Sequence, residues 1–89
     1  MPYQEATRLF KALGNERRLK ILRHLLDFSE CSVLEAARLL GVTHPAAVKH
    51  LQCLERARCV ERDRSGQYVL SRLNDESTAF LIRAVLGIV

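Results

Sequence analysis

Apolar residues recur at steps of three and four through most of the chain and at steps of two only after residue 58. Ala6, Leu9, Phe10 and Leu13 form the stripe of a short amphipathic helix ending near Gly14. Asn15 is a good N-cap with Glu16 behind it, and Leu19, Leu22, Leu25 and Leu26 line a second helix to about Asp27. Ser32, Val33, Leu34 and Glu35 fit a capping box, in which the Ser hydroxyl accepts from the fourth residue's amide and the Glu carboxylate reaches back. A third helix therefore begins at Val33, carries Leu34, Ala37 and Leu40 on one face, and stops at Gly41. Thr43 caps a fourth helix that runs to roughly Ala57, with Pro45 in the first turn, where a missing amide costs little.

Two helices joined by Gly41, Val42 and Thr43 make a helix-turn-helix. On the fourth helix, Ala47, Leu51 and Leu54 fall within about 60° of arc at 100° per residue and face the core. Pro45, Ala46, Lys49, Gln52 and Arg56 point away, with His50 and Cys53 on the flanks and no acid before Glu55. That outward face is small, polar and basic, as a DNA groove requires. The period then switches to two: residues 59–62, a turn at 63–66 and residues 67–73 predict a β-hairpin with a basic tip. Asn74 is the expected cap of a last helix, with Asp75 and Glu76 in its positive first turn. From Ala79 onward nearly every side of that helix is apolar, more than a small domain can bury within itself, so part of it should meet a second copy of the chain. The expected fold is mainly α with a small β-hairpin: four helices, the hairpin and a fifth helix, the winged helix-turn-helix order. The expected assembly is a homodimer through the terminal helices.

Eighty-nine residues are expected to form a single domain, residues 1–89. Apolar runs reach only about four residues against the roughly 18 of a membrane span, and the start lacks a secretory apolar stretch, so a cytoplasmic location is expected. Three cysteines without metal-knuckle spacing, Cys31, Cys53 and Cys59, agree with a reducing compartment. The net charge of +4 is unevenly placed: Arg38 to Arg72 holds seven basic residues against three acids, while the remainder holds seven of each. A polyanion would therefore meet the middle of the chain. Four scattered glycines and three scattered histidines supply no nucleophile-base pair, convergent carboxylates or phosphate-cradling loop, so an enzyme is not expected.

Residues 9–22, reading LFKALGNERRLKIL, resemble the LFKALGxxxRLxIL opening of ArsR/SmtB-type repressors. Leu40 to Thr43, then His50, Leu51 and Leu54, are similar to that family's recognition segment, and Tyr68, Val69 and Arg72 to Asp75 to its wing. The resemblance covers Leu9 to Asp75 and implies a dimeric DNA-binding repressor. It does not carry the family's familiar metal sites. Ser32, Val33 and Leu34 stand where a cysteine box would lie, with Cys31 one residue early, and no histidine follows Leu73 to join Asp75. Neither a metal nor any other cofactor is therefore expected, and the effector is left open. Arg58 stands where the family usually has a glycine.

The candidate DNA contacts are Thr43, His44, Pro45, Ala46, Lys49, His50, Gln52 and Arg56 on the fourth helix, with Arg62 and Arg64 on the wing. Lys49 is the central cation, and His44 is placed to donate to a phosphate or base edge. His50 borders the core and can instead pack. The candidate dimer face is Leu9, Phe80, Leu81, Ala84, Val85 and Ile88. Cys53 and Cys59 read as core thiols. Cys31 precedes a helix N-terminus, where a thiol pKa can fall, and is the candidate redox residue. The double-stranded DNA of an inverted repeat is the expected partner. The rival reading is a winged-helix protein-interaction module that does not bind DNA.

Overall fold

The computed structural model describes residues 2–64 and 69–88. Its elements run α1 (Tyr3–Leu13), α2 (Glu16–Phe28), β1 (Cys31–Ser32), α3 (Val33–Leu40), α4 (His44–Arg56), β2 (Val60–Asp63), β3 (Leu70–Leu73) and α5 (Glu76–Leu86). The five helices and the hairpin strands stand where the periodicity places them. One element was not expected: β1 pairs antiparallel with β3, Cys31 opposite Ser71 and Ser32 opposite Leu70, so the sheet has three strands in the order β1-β3-β2. Two residues are too short for an alternation to show, and this strand exists only because β3 passes beside it. The other pairing sets Val60 opposite Leu73, Glu61 opposite Arg72, Arg62 opposite Ser71 and Asp63 opposite Leu70. Residues 65–68, the second half of the turn expected at 63–66 and the start of the strand expected over 67–73, lie outside the described residues.

The starts of α2 to α5 are each held by a side chain, whereas that of α1, behind Pro2, is not. Asn15 accepts from the Arg18 amide at 3.1 Å, and the Arg18 side chain turns back on the preceding helix. Its Nε donates to the Ala12 carbonyl at 2.7 Å and its Nη2 to that of Lys11 at 3.0 Å. One residue thus satisfies the end of α1 while its own amide is capped, which fixes the α1–α2 corner. The capping box is complete: Ser32 Oγ accepts from Glu35 N at 3.1 Å, and Glu35 Oε1 accepts from Ser32 N at 3.0 Å. These bonds hold the Glu35 carboxyl below the usual range. The cap of α5 is Asp75 rather than Asn74. The Asn74 amide is spent on the Cys59 carbonyl at 3.1 Å, closing the hairpin, and Asp75 Oδ1 accepts from Thr78 N at 2.8 Å and Thr78 Oγ1 at 2.9 Å.

Ile21, Leu22, Leu51, Leu54 and Ile82 are the large side chains at the centre of the core, with Ala12, Ala36 and Ala47 where backbones approach. Two large stripe residues fall outside it. Phe10 is 69% exposed and Leu34 53% exposed, because α1 buries the direction shared by Leu9, Ala12 and Leu13, and α3 that of Val33, Ala36, Ala37 and Leu40. Each lies about 110° around its helix from that direction. Replacing Leu51 with Ala should lower unfolding free energy by about 2–5 kcal/mol, read as a lower denaturant midpoint at unchanged m-value.

Candidate nucleic-acid interface

The geometry of the reading helix begins at its turn. Gly41 ends α3 in the left-handed conformation at φ 65°, where a side chain would be strained, and the Val42 amide donates to the Ala37 carbonyl at 3.1 Å. Three residues later the chain re-enters a helix: Thr43 Oγ1 accepts from Ala46 N at 3.3 Å. α4 packs on α3 along its length and also touches α2, β2 and α1, with Ala47, Leu51 and Leu54 sealed from solvent. Burying that stripe turns the opposite one outward. Thr43, His44, Pro45, Lys49 and Arg56 are exposed, and Ala46, His50 and Gln52 are half-buried.

Charge on this face is one-sided. No acid lies in the first turn of α4, so its unsatisfied amides and positive dipole end remain available to an anion. The first acid, Glu55, is drawn toward the wing, 3.8 Å from Arg62 and 3.9 Å from Arg64. His50 is partly desolvated and stands near Arg18 and Arg17, which lower its pKa. It is therefore neutral at pH 7 and offers a hydrogen bond, not a counter-charge, to DNA.

The wing differs from expectation in one important respect. Strand alternation puts Val60 and Arg62 on the inner face of β2, and the Arg62 side chain is only 5% exposed, held against Glu55. Its Nε and Nη1 find no hydrogen-bond partner among the described residues, nor does Ser71 Oγ opposite it. Arg62 is thus placed to tie the wing to α4, and a phosphate cannot reach it without reorganisation. The signal was present in the period of two, since a strand that buries Val60 must turn Arg62 the same way. On the outer face, Arg72 lies 3.4 Å from Asp63 and 4.0 Å from Glu61, which neutralise it. Arg64 remains as the exposed wing cation.

Cys31 does not have the environment that its place before a helix suggested. It is fully buried, its Sγ donates to the Ser32 carbonyl at 3.3 Å, and burial together with the Glu35 charge pushes its pKa up to about 11. Cys59 is likewise buried and pushed up to about 11, while Cys53 is half-buried. Nor do the residues present fit a metal. Among the described residues no three His, Cys, Asp or Glu side chains converge, and Asp75 is engaged as a helix cap. At the other end of the molecule, Phe80 is 74% exposed, with Ala84 and Val85 beside it on the surface of α5 and Leu9, Leu81 and Ile88 half-buried. Tyr3 and Phe10 are exposed aromatic side chains on α1. Among the described residues no helix is long and apolar enough to cross a membrane.

A helix-turn-helix with an acid-free outward face, followed by an antiparallel wing, is the arrangement of winged-helix DNA-binding proteins. The family model for the bacterial regulatory protein, arsR family, matches residues 15–62, more than half of the chain, which belongs to that family. Its members are transcriptional regulators, not enzymes. An uncharacterised HTH-type transcriptional regulator of Bacillus subtilis, YuzN, is 36% identical over 81 residues, covering 84% of this chain and 88% of its own. The transcriptional activator HlyU of Vibrio cholerae is 37% identical over 78 residues, covering 88% of this chain and 71% of its own. Among solved structures, the homodimeric winged helix-turn-helix DNA-binding domain of Mb0332 from Mycobacterium bovis superposes with a TM-score of 0.85 at 34% identity, covering 94% of this chain and 77% of that one. An activator among the relatives means that family membership alone does not set the sign of regulation.

In the native protein at pH 8, a thiol of pKa about 11 is ionised to roughly one part in a thousand. A thiol-reactive disulfide should therefore modify Cys53 first, and Cys31 and Cys59 only on unfolding. Rapid native modification of Cys31, read by peptide mass mapping, would contradict this burial.

Proposed function

We propose that this chain is a cytoplasmic, single-domain regulator, residues 1–89, that acts as a homodimer on the double-stranded DNA of an inverted-repeat operator. The observation that carries the reading is the acid-free outward face of α4, with Lys49 exposed at its centre and an unneutralised helix N-terminus. Thr43, His44, Pro45, Ala46 and Gln52 supply short polar and apolar contacts around Lys49, while His50 and Arg56 border them. Arg64 adds a sequence-independent phosphate contact from the wing. Support for the dimer comes from the exposed apolar surface of α5 and the homodimeric state of the Mb0332 domain. We take the regulation to be repression, since a dimer spanning two half-sites occludes promoter DNA without any contact to polymerase. The donor set favours an effector other than a bound metal.

In gel shifts on the chain's own upstream DNA, affinity should fall steeply with salt. Lys49→Ala or His44→Ala should weaken the cognate site by about 1–3 kcal/mol while changing random DNA less, whereas Arg64→Ala should weaken both alike. Arg62→Ala should act first on the thermal midpoint of the protein. Equal losses on both DNAs for Lys49 and Arg64 would overturn this division of roles, and no retention at any salt would leave the protein-interaction reading. Phe80→Glu should give a monomer in sedimentation, and an unchanged mass would place the dimer surface elsewhere. Reporter transcription that drops on deleting the gene would make the protein an activator.

A further inference from the structure

Between α1, the end of α4 and the first turn of α5 lies a cavity of about 350 Å³ whose wall includes three arginines, Arg8 from α1 and Arg56 and Arg58 from the end of α4 and its turn. None of the three forms an ion pair within 4.0 Å among the described residues. Two acids share the wall, Glu5 and Asp75, so its formal charge is positive. The Asp75 carboxylate is already committed to Thr78 and to the positive end of α5, which leaves Glu5 as the other acid of the wall. Leu9, Ala57 and Leu81 supply the apolar part of the wall, on the side adjoining the proposed subunit seam. A site with that division takes an amphiphilic small anion.

The backbone at this place adds an independent observation. Arg58 ends the α4 turn at φ 62°, its amide donating to the Glu55 carbonyl at 3.0 Å, in a conformation where glycine is the low-energy residue. The corresponding positions after α3 and α5 are glycines, Gly41 and Gly87, at φ 65° and 70°, while α2 ends on Ser29 at φ 70°, a small residue with no charge to place. Here the chain retains backbone strain and a long cation at the mouth of a cavity, a combination that contributes nothing to the turn itself. Arg56, two residues earlier, also belongs to the outward face of α4.

We propose that this cavity binds a small organic anion, a phosphate monoester or carboxylate with an apolar body, between Arg8, Arg56 and Arg58, and that the bound anion competes with DNA for Arg56. The binding step stands apart from the DNA-reading function; the competition rests on it. The anion bridges α1, α4 and α5, so it couples the reading helix to the elements proposed to form the dimer.

The test is an amide NMR titration of the full ¹⁵N-labelled chain with inorganic phosphate and with phenyl phosphate, at ionic strength held constant with sodium chloride. Saturable shifts at residues 57–59 and 77–78, with phenyl phosphate binding several-fold more tightly than inorganic phosphate, are expected. Arg58→Gly relieves the turn, so it should raise the thermal midpoint and yet weaken phenyl phosphate binding by about tenfold or more. Shifts that never saturate, shifts centred on Lys49, or undiminished affinity in Arg58→Gly would overturn the site. In a second arm, fluorescence anisotropy with the upstream DNA should show phenyl phosphate weakening DNA binding by the wild type more than by Arg58→Gly. Saturable NMR binding with unchanged DNA affinity would overturn the competition alone, and failure of the chain to bind DNA at all would leave the NMR result standing.

Discussion

Burial of Ala47, Leu51 and Leu54 against α3 is the contact on which the functional surface depends. A helix with one apolar stripe has a single rotational setting once that stripe is packed, and the opposite stripe is then displayed without further instruction. The left-handed Gly41 and the Thr43 cap fix where α4 starts, and the core fixes how it is turned. Lys49 is outward for that reason alone: it lies across the helix from residues that cannot leave the interior.

Electrostatics are arranged around the same helix. Acids are absent from its first three turns, and the one acid near its end is held between Arg62 and Arg64. Glu55 therefore does two things at once: it keeps negative charge away from the reading face and anchors the wing to α4. A charge of this kind, partly desolvated beside a buried guanidinium, sets orientation more than it contributes to stability. Its consequence is that much of the positive charge in the middle of the chain is internally compensated. Arg62 and Arg72 are spent within the wing and Arg64 shares Glu55, while Lys49, Arg56 and Arg58 form no ion pair among the described residues.

The helices, their caps at Asn15, Ser32 and Thr43 and the face of α4 were legible from spacing, because each rests on contacts within about four residues along the chain, and the two-strand wing from its period of two around a short turn. Legibility ended where a residue's partner is distant in sequence. The strand at Cys31 exists only through Ser71, the fate of Arg62 depends on Glu55, and the cap of α5 shifted to Asp75 because Cys59 claims the Asn74 amide. Phe10 and Leu34 fit the helical period yet stand in solvent, because period defines a stripe and neighbours decide how wide a part of it is covered.

By itself, then, the sequence determined the order of the helices and the hairpin, the winged helix-turn-helix class and which side of α4 is available to a partner, since local hydrogen bonds, a short turn and a single apolar stripe suffice for these. Tertiary structure decided the chemistry of the individual side chains. Cys31 could be a lowered thiol at a helix start or a buried one raised to about 11, and only the packing of the core around it chose the second. Arg8, Arg56 and Arg58 are scattered over fifty residues, and only the meeting of α1, the end of α4 and α5 brings them to one cavity. Burial and long-range charge are properties of what surrounds a residue, and that environment exists only after the chain has folded.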